Sequence, residues 1–370
     1  MKTATNVVQD DLATMLDSLQ EELNLLSGKR LLITGGAGFL GYYLVQLVVA
    51  YNEAGAGSPK IELEVWDNYQ RGLPGWLKAV ENSGHVRLRK HDIRHQLPVD
   101  MGDFDYIIHA ASIASPIYYR KYPIETMDAN VEGLRRLLDY SREQKAQGKP
   151  LAGFLFFSTS EIYGDPQPEF IPTRETYRGN VSCTGPRACY DESKRYGETL
   201  CVNFAQQYEL PIKIARPFNN YGPGLKITDG RVLPDFARNV LKGENIVMLS
   251  DGSPTRTFCY ITDAITGYYK ILTRGRAGES YNIGVESPEI SMAQLSDMVV
   301  EYGKNLFGYQ GQVVRKESSD EHYLTDNPNR RCPDITKARE ELDYNPQVDL
   351  KEGLMKTMLW YNDNLTAEEA

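Results

Sequence analysis

The sequence has 370 residues, of which 41% are hydrophobic and 25% charged, and a formal net charge of −9. A chain of this length buries one large core or two joined ones, which excludes a small fold held together by disulfides or metals. The acidic balance argues against broad electrostatic binding of nucleic acid or of an anionic membrane surface. We therefore expect a globular protein without nucleic-acid or membrane partners, in which local sites hold any anionic ligand.

The five cysteines form no CxxC pair and no metal-ligand spacing with the five histidines, so neither a disulfide framework nor a metal site is expected. No apolar run approaches the roughly 18 residues that a membrane-spanning helix needs. A secretory signal would be basic and then apolar, whereas this region contains the acidic residues Asp10, Asp11, Asp17, Glu21 and Glu22. These features favour reduced thiols and a cytoplasmic location.

Five leucines near the N-terminus alternate at spacings of four and three, which places them on one stripe of a helix over 12–26. They are Leu12, Leu16, Leu19, Leu23 and Leu26. We expect residues 1–28 to form an amphipathic helical extension. It could serve dimerisation or docking, or it could pack on its own domain. The second interpretation is favoured because the pattern spans barely two heptads.

From Arg30 onward, short apolar runs alternate with segments of helical length. The runs predicted as strands are Leu31–Thr34, Ile61–Trp66, Val86–Lys90, Tyr106–His109, Phe154–Ser158 and Ile212–Arg216. This alternation predicts an α/β fold with a Rossmann-type doubly wound parallel sheet covered by helices on both faces. After Arg216 the elements become short and mixed, with Gly and Pro between them. We expect one domain over 29–217, joined by 257–280, and a smaller C-terminal α/β domain over 218–370.

Gly35, Gly38 and Gly41 lie where the first predicted strand turns into the helical segment Tyr42–Ala50. A dinucleotide site needs glycine at the sharp turn, at the approach of the pyrophosphate and at the helix–strand contact. The helix N-terminus then supplies N–H groups to the pyrophosphate. The sequence therefore predicts that the first domain binds a dinucleotide, with Phe39 and Leu40 in the same turn.

Asp67 ends the second predicted strand, where an acidic side chain can bind the adenosine ribose hydroxyls and repel a 2′-phosphate. This position favours NAD over NADP. The alternative is a simple turn residue at the end of a strand. Arg71 favours NADP instead, because an arginine in this loop could neutralise the 2′-phosphate.

Tyr190 and Lys194 are four residues apart in the helical segment Ala188–Tyr208, so they share one helix face. A nearby ammonium lowers the pKa of a phenol, and we expect Lys194 to do so for Tyr190. The phenol could then remove a proton from an alcohol and return it later. A tyrosine and a lysine at this spacing are common by chance. The pair indicates a catalytic site here because it comes after a predicted dinucleotide-binding fold.

From about Lys29 to Tyr361 the chain resembles the extended short-chain dehydrogenase/reductases that act on nucleotide sugars. The motifs that carry the resemblance, besides the glycine turn and the Tyr–Lys pair, are Asp92–Ile93, His109–Ser112, Ser158–Gly164 and Arg216–Pro223. The resemblance implies a second domain that binds the substrate. It also implies that Asn68, Asp92, Ile93, Ala110, Ala111 and Ser112 contact the cofactor, together with Tyr190 and Lys194.

The segment Thr159–Ser160–Glu161 separates chemistries within the family. Thr159 matches the catalytic hydroxyl that acts with Tyr190 and Lys194. The 4,6-dehydratases usually carry Asp–Glu at the next two positions, and the 4-epimerases usually lack the Glu. The Ser–Glu pair resembles the UDP-glucuronate decarboxylases, as do the stretches Ser112–Pro116 with Tyr119, Gly185–Glu192, Asp229–Val232 and Thr255–Phe258.

This resemblance implies NAD-dependent oxidation of UDP-glucuronate at C4, loss of CO2 and re-reduction to UDP-xylose by a homodimer. It places Glu161 and Arg256 near C5, and Ser160 and Tyr119 near the carboxylate. It places Asn219 and Arg231 at the diphosphate, with Arg331 as a weaker candidate. The dimer would form through helices around 124–141 and 188–208.

Four alternatives remain open from the sequence. They are a 4-epimerase, a 4,6-dehydratase, a decarboxylase that releases the 4-keto pentose, and a dinucleotide sensor without catalysis. The segments 168–184 and 224–228 depart from the decarboxylase pattern. Because they lie near the expected sugar and nucleotide pockets, they leave the base and sugar preference open.

Overall fold

The structure is a computed structural model that describes residues 3–55, 58–318 and 325–369. Its α-helices are α1 Ala4–Ser18, α2 Gln20–Leu26, α3 Phe39–Ala54, α4 Gly75–Asn82, α5 Pro116–Lys121, α6 Pro123–Asp128, α7 Leu134–Ala146, α8 Ala188–Tyr208, α9 Val232–Leu241, α10 Ile261–Arg274, α11 Met292–Phe307, α12 Thr336–Leu342 and α13 Leu350–Glu369. A π-helical turn, Ala129–Gly133, joins α6 to α7, and 3-10 turns cover Ser160–Tyr163 and Pro168–Phe170.

The strands are β1 Arg30–Thr34, β2 Glu62–Asp67, β3 Val86–Lys90, β4 Tyr106–His109, β5 Gly153–Phe157, β6 Ile212–Pro217, β7 Asn220–Tyr221, β8 Ile246–Met248, β9 Thr255–Arg256, β10 Cys259–Tyr260, β11 Ser280–Ile283, β12 Ile290–Ser291, β13 Val313–Arg315 and β14 Arg330–Arg331. Seven of them form one parallel sheet in the order β11-β6-β5-β4-β1-β2-β3. The order reverses between β1 and β4, as in a doubly wound Rossmann sheet. The predicted fold class is confirmed.

The central strands are apolar because helices cover both faces of the sheet. Every residue of β4 and β5 is buried, and β1 is buried from Leu31 onward. The six predicted strands correspond to β1 through β6. The seventh strand, β11, pairs with β6 and comes from the C-terminal half of the chain. The division into domains stays a prediction.

The N-terminal segment forms two helices rather than the single helix predicted over 12–26. The break lies at Leu19, which caps both α1 and α2. The leucine spacing does not reveal it, since Leu19, Leu23 and Leu26 remain fully buried on the core across the break. Helix α1 packs on α13, α3 and α10. The segment therefore packs on its own chain, the interpretation favoured above.

Three small sheets lie in the later part of the chain. They pair β7 with β10, β8 with β13, and β9 with β12 and β14. Segments around them face the carboxyl ends of β1, β2, β4 and β5 across a deep cleft. Among the residues that the structure describes, none of the helices is long and apolar enough to cross a membrane.

Candidate active site

A cleft of about 950 Å³ lies at the carboxyl ends of the central strands, at the point where the strand order reverses. Ligands of open α/β sheets bind at this place. Of the predicted site residues, only Gly41 lies outside the lining. Those that line the cleft are Gly35, Gly38, Phe39, Leu40, Asp67, Asn68, Asp92, Ile93, Ala110, Ala111, Ser112, Tyr119, Thr159, Ser160, Glu161, Tyr190, Lys194, Asn219, Arg231, Arg256 and Arg331.

The three glycines of the first turn serve different purposes. Gly35 has φ +75°, and a Cβ there would lie 2.6 Å from Ala111 Cα. A Cβ on Gly41 would lie 2.1 Å from the carbonyl oxygen of Gly36. A Cβ on Gly38, by contrast, would approach only the Gly35 oxygen, at 3.3 Å. Gly35 and Gly41 therefore permit chain packing, while Gly38 leaves space at the N-terminus of α3 that fits a pyrophosphate.

The carboxylate of Asp67 is fixed beside this turn. It accepts hydrogen bonds from the backbone N–H of Ala37 at 3.0 Å and of Tyr69 at 2.8 Å. Burial raises its pKa, and those hydrogen bonds oppose the rise. Arg71 donates to Asp229 at 2.9 Å, so its charge is already paired with a carboxylate. The arrangement fits a dinucleotide without a 2′-phosphate.

Polar side chains that line the cleft are hydrogen-bonded to one another. Asn68 donates to Asp92 at 3.2 Å, and Arg94 pairs with Asp92 at 2.7 Å. The hydrogen bonds from Arg94 hold the pKa of Asp92 well below its ordinary value. Near α8, the hydroxyl of Ser112 donates to Asn130 at 2.7 Å, and Asn130 donates to Ser193 on that helix at 2.9 Å. These hydrogen bonds hold polar side chains of the cleft wall in place.

Tyr190 and Lys194 are both buried on α8, one turn apart. The ammonium of Lys194 donates to the carbonyl of Phe157 at 2.7 Å, and burial lowers its pKa to about 7. Burial raises the pKa of Tyr190 to about 12, with the Thr159 hydroxyl opposing the rise. The expectation that Lys194 lowers this pKa is therefore wrong for the chain by itself. Burial of the phenol dominates its pKa, and the Lys194 ammonium lies 5.8 Å from the ring centre.

Two hydroxyls in the cleft lack protein partners. The side-chain oxygens of Tyr119 and Ser158 are buried and make no hydrogen bond within the described part of the chain. Thr159 accepts a hydrogen bond from the backbone N–H of Glu161 at 3.2 Å and precedes the buried Ser160. Because buried polar atoms are normally hydrogen-bonded, the unpaired hydroxyls fit a polar ligand in the cleft.

Glu161 is held between two guanidinium groups. Arg331 contacts both of its carboxylate oxygens, at 2.5 and 2.6 Å, and Arg187 contacts Oε2. Burial alone would raise the pKa of Glu161, but Arg187 and Arg331 outweigh it and lower the pKa to about 2. Arg187 was absent from the predicted site. Its place at the start of α8, three residues before Tyr190, is the signal that could have found it.

Arg256 is buried beside this pair but is held differently. Its guanidinium donates to the backbone carbonyls of Thr255 at 2.7 Å, Pro328 at 2.5 Å and Asn329 at 3.1 Å. Burial and the neighbouring Arg331 lower its pKa to about 9, although Glu161 opposes the fall. Three guanidiniums and one carboxylate thus leave this end of the cleft positively charged.

Two further predicted residues lie on the substrate side. Asn219 has φ +34° and donates to the carbonyl of Thr257 at 3.0 Å. Arg231 lies 3.2 Å from Asp229, the carboxylate that also binds Arg71. Asp229 therefore links the loop after β2 to the loop before α9.

The profile of the NAD dependent epimerase/dehydratase family matches residues 31–284, and the chain belongs to this family. The expectation that NAD is the cofactor is confirmed. The chain is 38% identical over 328 residues to UDP-glucuronic acid decarboxylase 6 of Arabidopsis thaliana, covering 89% of this chain and 87% of that protein. It is 34% identical to UDP-glucuronic acid decarboxylase 1 of Xenopus tropicalis, and the match covers 91% of this chain and 73% of that protein.

Solved structures with a similar fold carry other activities. The dTDP-glucose 4,6-dehydratase DesIV of Streptomyces venezuelae, solved with NAD bound, is 26% identical, with a TM-score of 0.76 over 91% of this chain and 98% of that chain. The UDP-glucose 4-epimerase of Thermotoga maritima, solved with UDP-glucose, is 26% identical, with a TM-score of 0.75 over 91% of this chain and 99% of that chain.

Proposed function

We propose that the protein converts UDP-glucuronate to UDP-xylose and CO2 with NAD as a recycled oxidant. The observation that carries this proposal is that Tyr190 shares one cleft with the charged group formed by Glu161, Arg187, Arg256 and Arg331. Tyr190 can exchange a proton with a sugar hydroxyl, and the nearby guanidinium groups can bind a carboxylate. This combination suits a sugar that bears both a C4 hydroxyl and a carboxylate. The names of the similar decarboxylases support the same substrate.

Oxidation requires that the C4 hydroxyl lose a proton as the C4 hydride leaves. The phenolate form of Tyr190 takes that proton, and Thr159 orients the hydroxyl beside it. NAD, held by the glycine turn and Asp67, would supply the acceptor for the hydride from the sugar C4 and would return that hydride at the end. Lys194 is buried behind the phenol, with Nζ 5.8 Å from the ring centre, so its charge favours the phenolate although burial of the ring still dominates the pKa.

The resulting 4-keto acid can lose its carboxylate, since the C4 carbonyl accepts the electron pair of the breaking C5–carboxyl bond. Donors at Thr159 and Tyr190 stabilise the enolate oxygen. Arg256 and Arg331 bind the carboxylate before it leaves. The enolate takes a proton at C5, and Tyr190 returns its proton to O4 as C4 is reduced.

The test is product identification by mass spectrometry after incubation with a panel of nucleotide sugars. UDP-glucuronate should yield CO2 and a UDP-pentose, while UDP-glucose and dTDP-glucose should lose no water. Recovery of UDP-glucuronate unchanged, or as its 4-epimer with all carbons retained, would contradict the proposal.

We further propose a cytoplasmic homodimer. Ile124 and Tyr196 on α6 and α8 are 60% and 51% exposed, and burial of such side chains favours self-association. The five cysteines form no disulfide, which supports a reducing compartment. Light scattering after gel filtration would test the dimer, and a monomer would contradict it. Cell fractionation would test the location, and recovery in a secretory fraction would contradict it.

A further inference from the structure

Residues 224–231, between β7 and α9, form a strap at the edge of the active-site cleft. Gly224 packs directly on α3, the helix that follows the glycine turn, because a Cβ there would lie 2.5 Å from Tyr42 Cβ. The next residue, Leu225, is only 2% exposed, and its carbonyl accepts a hydrogen bond from the Tyr361 hydroxyl at 2.7 Å. The first half of the strap is therefore fixed to the core.

The second half of the strap is held by polar contacts to two loops that line the cleft. Asp229 is buried and accepts a hydrogen bond at 2.9 Å from the guanidinium of Arg71, in the loop after β2. Its backbone carbonyl accepts another, at 2.8 Å, from the hydroxyl of Ser115, in the loop after β4. Lys226 donates to the carbonyl of Arg71 at 3.2 Å. The strap thus joins α3 to the loops that follow β2 and β4.

The ion pair between Arg71 and Asp229 has one exposed and one buried partner. The side chain of Arg71 is 38% exposed and that of Asp229 is 4% exposed. The guanidinium lies over the ring of Tyr118, 5.0 Å from the ring centre, and this contact keeps it beside the carboxylate. Because loss of the Arg71 charge would leave a buried carboxylate with less compensation, it would weaken the hold of the strap on the loop after β2.

The elements that the strap joins are those that carry the cofactor residues predicted from the sequence. They are the glycine turn before α3, Asp67 at the end of β2, and Ala110–Ser112 after β4. A dinucleotide held by all three can leave only after the strap parts from one of them. In the reaction proposed above, NADH must stay bound between the oxidation and the re-reduction of C4. Its escape in this interval would release the 4-keto pentose.

We propose that the ion pair of Arg71 and Asp229 is a latch that keeps the strap closed over the bound dinucleotide. The latch slows the departure of NADH until C4 is reduced, so that the UDP-pentose leaves rather than its 4-keto precursor. Arg71 and Asp229 are positioning residues, since they act through the strap. Control of the product rests on the proposed function, whereas retention of NADH rests on the cofactor alone.

The test begins with Arg71→Gln, which removes the charge and keeps a polar side chain. Dissociation of NADH from the purified protein, followed by stopped-flow fluorescence without substrate, should become about three- to tenfold faster, as expected for an ion pair with one buried partner. Asp229→Asn should have a similar effect. The double variant should be no faster than the faster single variant, because both changes break one contact. Added salt should speed NADH release from the wild type more than from Arg71→Gln.

The products formed from UDP-glucuronate provide a second measurement. By mass spectrometry, the ratio of 4-keto pentose to UDP-pentose should rise in Arg71→Gln in parallel with the rate of NADH release. This ratio does not depend on the fraction of the protein that is folded. Arg339→Gln on α12 is the matched control, since it removes a guanidinium that is 45% exposed and contacts Glu286 at 2.6 Å. Its NADH release and product ratio should match the wild type.

Two results overturn the latch. In one, Arg71→Gln and Asp229→Asn both release NADH at the wild-type rate. In the other, their effects multiply in the double variant, which shows that the two residues act separately. Faster NADH release with an unchanged product ratio overturns the control of the product. A wild type that releases no CO2 from UDP-glucuronate overturns the proposed function, while NADH release still decides whether the latch exists.

Discussion

Tyr119 stacks on Tyr190, with ring centroids 5.1 Å apart and ring planes 9° from parallel. The two rings come from α5 and α8, so the contact joins the first helix after β4 to the helix that carries Tyr190 and Lys194. Stacking holds the plane of the Tyr190 ring, while the Tyr119 hydroxyl has no hydrogen-bond partner among the residues that the structure describes. Tyr119 thus orients the phenol and offers a hydroxyl to a ligand.

Tyr190→Phe should reduce turnover by about 10²–10⁴-fold, because it removes the group that exchanges a proton with O4. The melting temperature should stay near the wild-type value, since the ring and its stacking on Tyr119 remain. Tyr196→Phe, on the same helix but 51% exposed, is the control and should retain full turnover. Near-normal activity of Tyr190→Phe would refute the assignment of the base.

Gly38→Ala and Gly41→Ala should separate ligand binding from folding. A methyl group at Gly38 meets little protein, so Gly38→Ala should fold normally and weaken NAD binding by about tenfold or more, or roughly 1.4 kcal/mol. A methyl group at Gly41 collides with the backbone of Gly36, so Gly41→Ala should lower the free energy of unfolding by about 1–3 kcal/mol. Calorimetric titration and thermal melts would measure both. Equal NAD affinity in Gly38→Ala and the wild type would contradict our placement of the pyrophosphate.

Leu23→Ala should lower the free energy of unfolding by about 2–5 kcal/mol, since it leaves a cavity at a fully buried side chain. Leu25→Ala on the same helix changes a side chain that is 52% exposed and should stay within about 0.5 kcal/mol of wild type. Urea titration would measure the difference. Similar stabilities of the two variants would show that α2 does not pack on the core in solution.

The stability contributed by ionised Glu161 should depend on pH in the acid range. Its folded-state pKa of about 2 lies below the ordinary 4.5, so the unfolded chain binds this proton more readily between those values. The contribution is complete above pH 4.5 and is lost as pH falls toward 2. The stability difference between the wild type and Glu161→Gln should therefore shrink between pH 5 and pH 3, measured by urea unfolding. A difference independent of pH would contradict the ion pairs.

The sequence by itself determined the sheet and the dinucleotide turn, because both depend on local patterns. Apolar runs mark strands that are buried on both faces. Gly35 and Gly38 lie in the turn between β1 and α3, and Asp67 ends β2, so all three positions belong to one strand–helix–strand unit. The bounds predicted for α8 agree with the structure. The one-residue break at Leu19 escaped prediction because helical spacing continues across it.

Only the tertiary structure decided the charges of the site. Glu161, Arg187 and Arg331 come from distant parts of the chain, and their contacts depend on how β14 and α8 meet the end of β5. The direction of the Tyr190 pKa also required the fold, since burial of the phenol raises it. Sequence spacing reports which groups share a helix face, whereas protonation depends on how much water and how many charges surround each group.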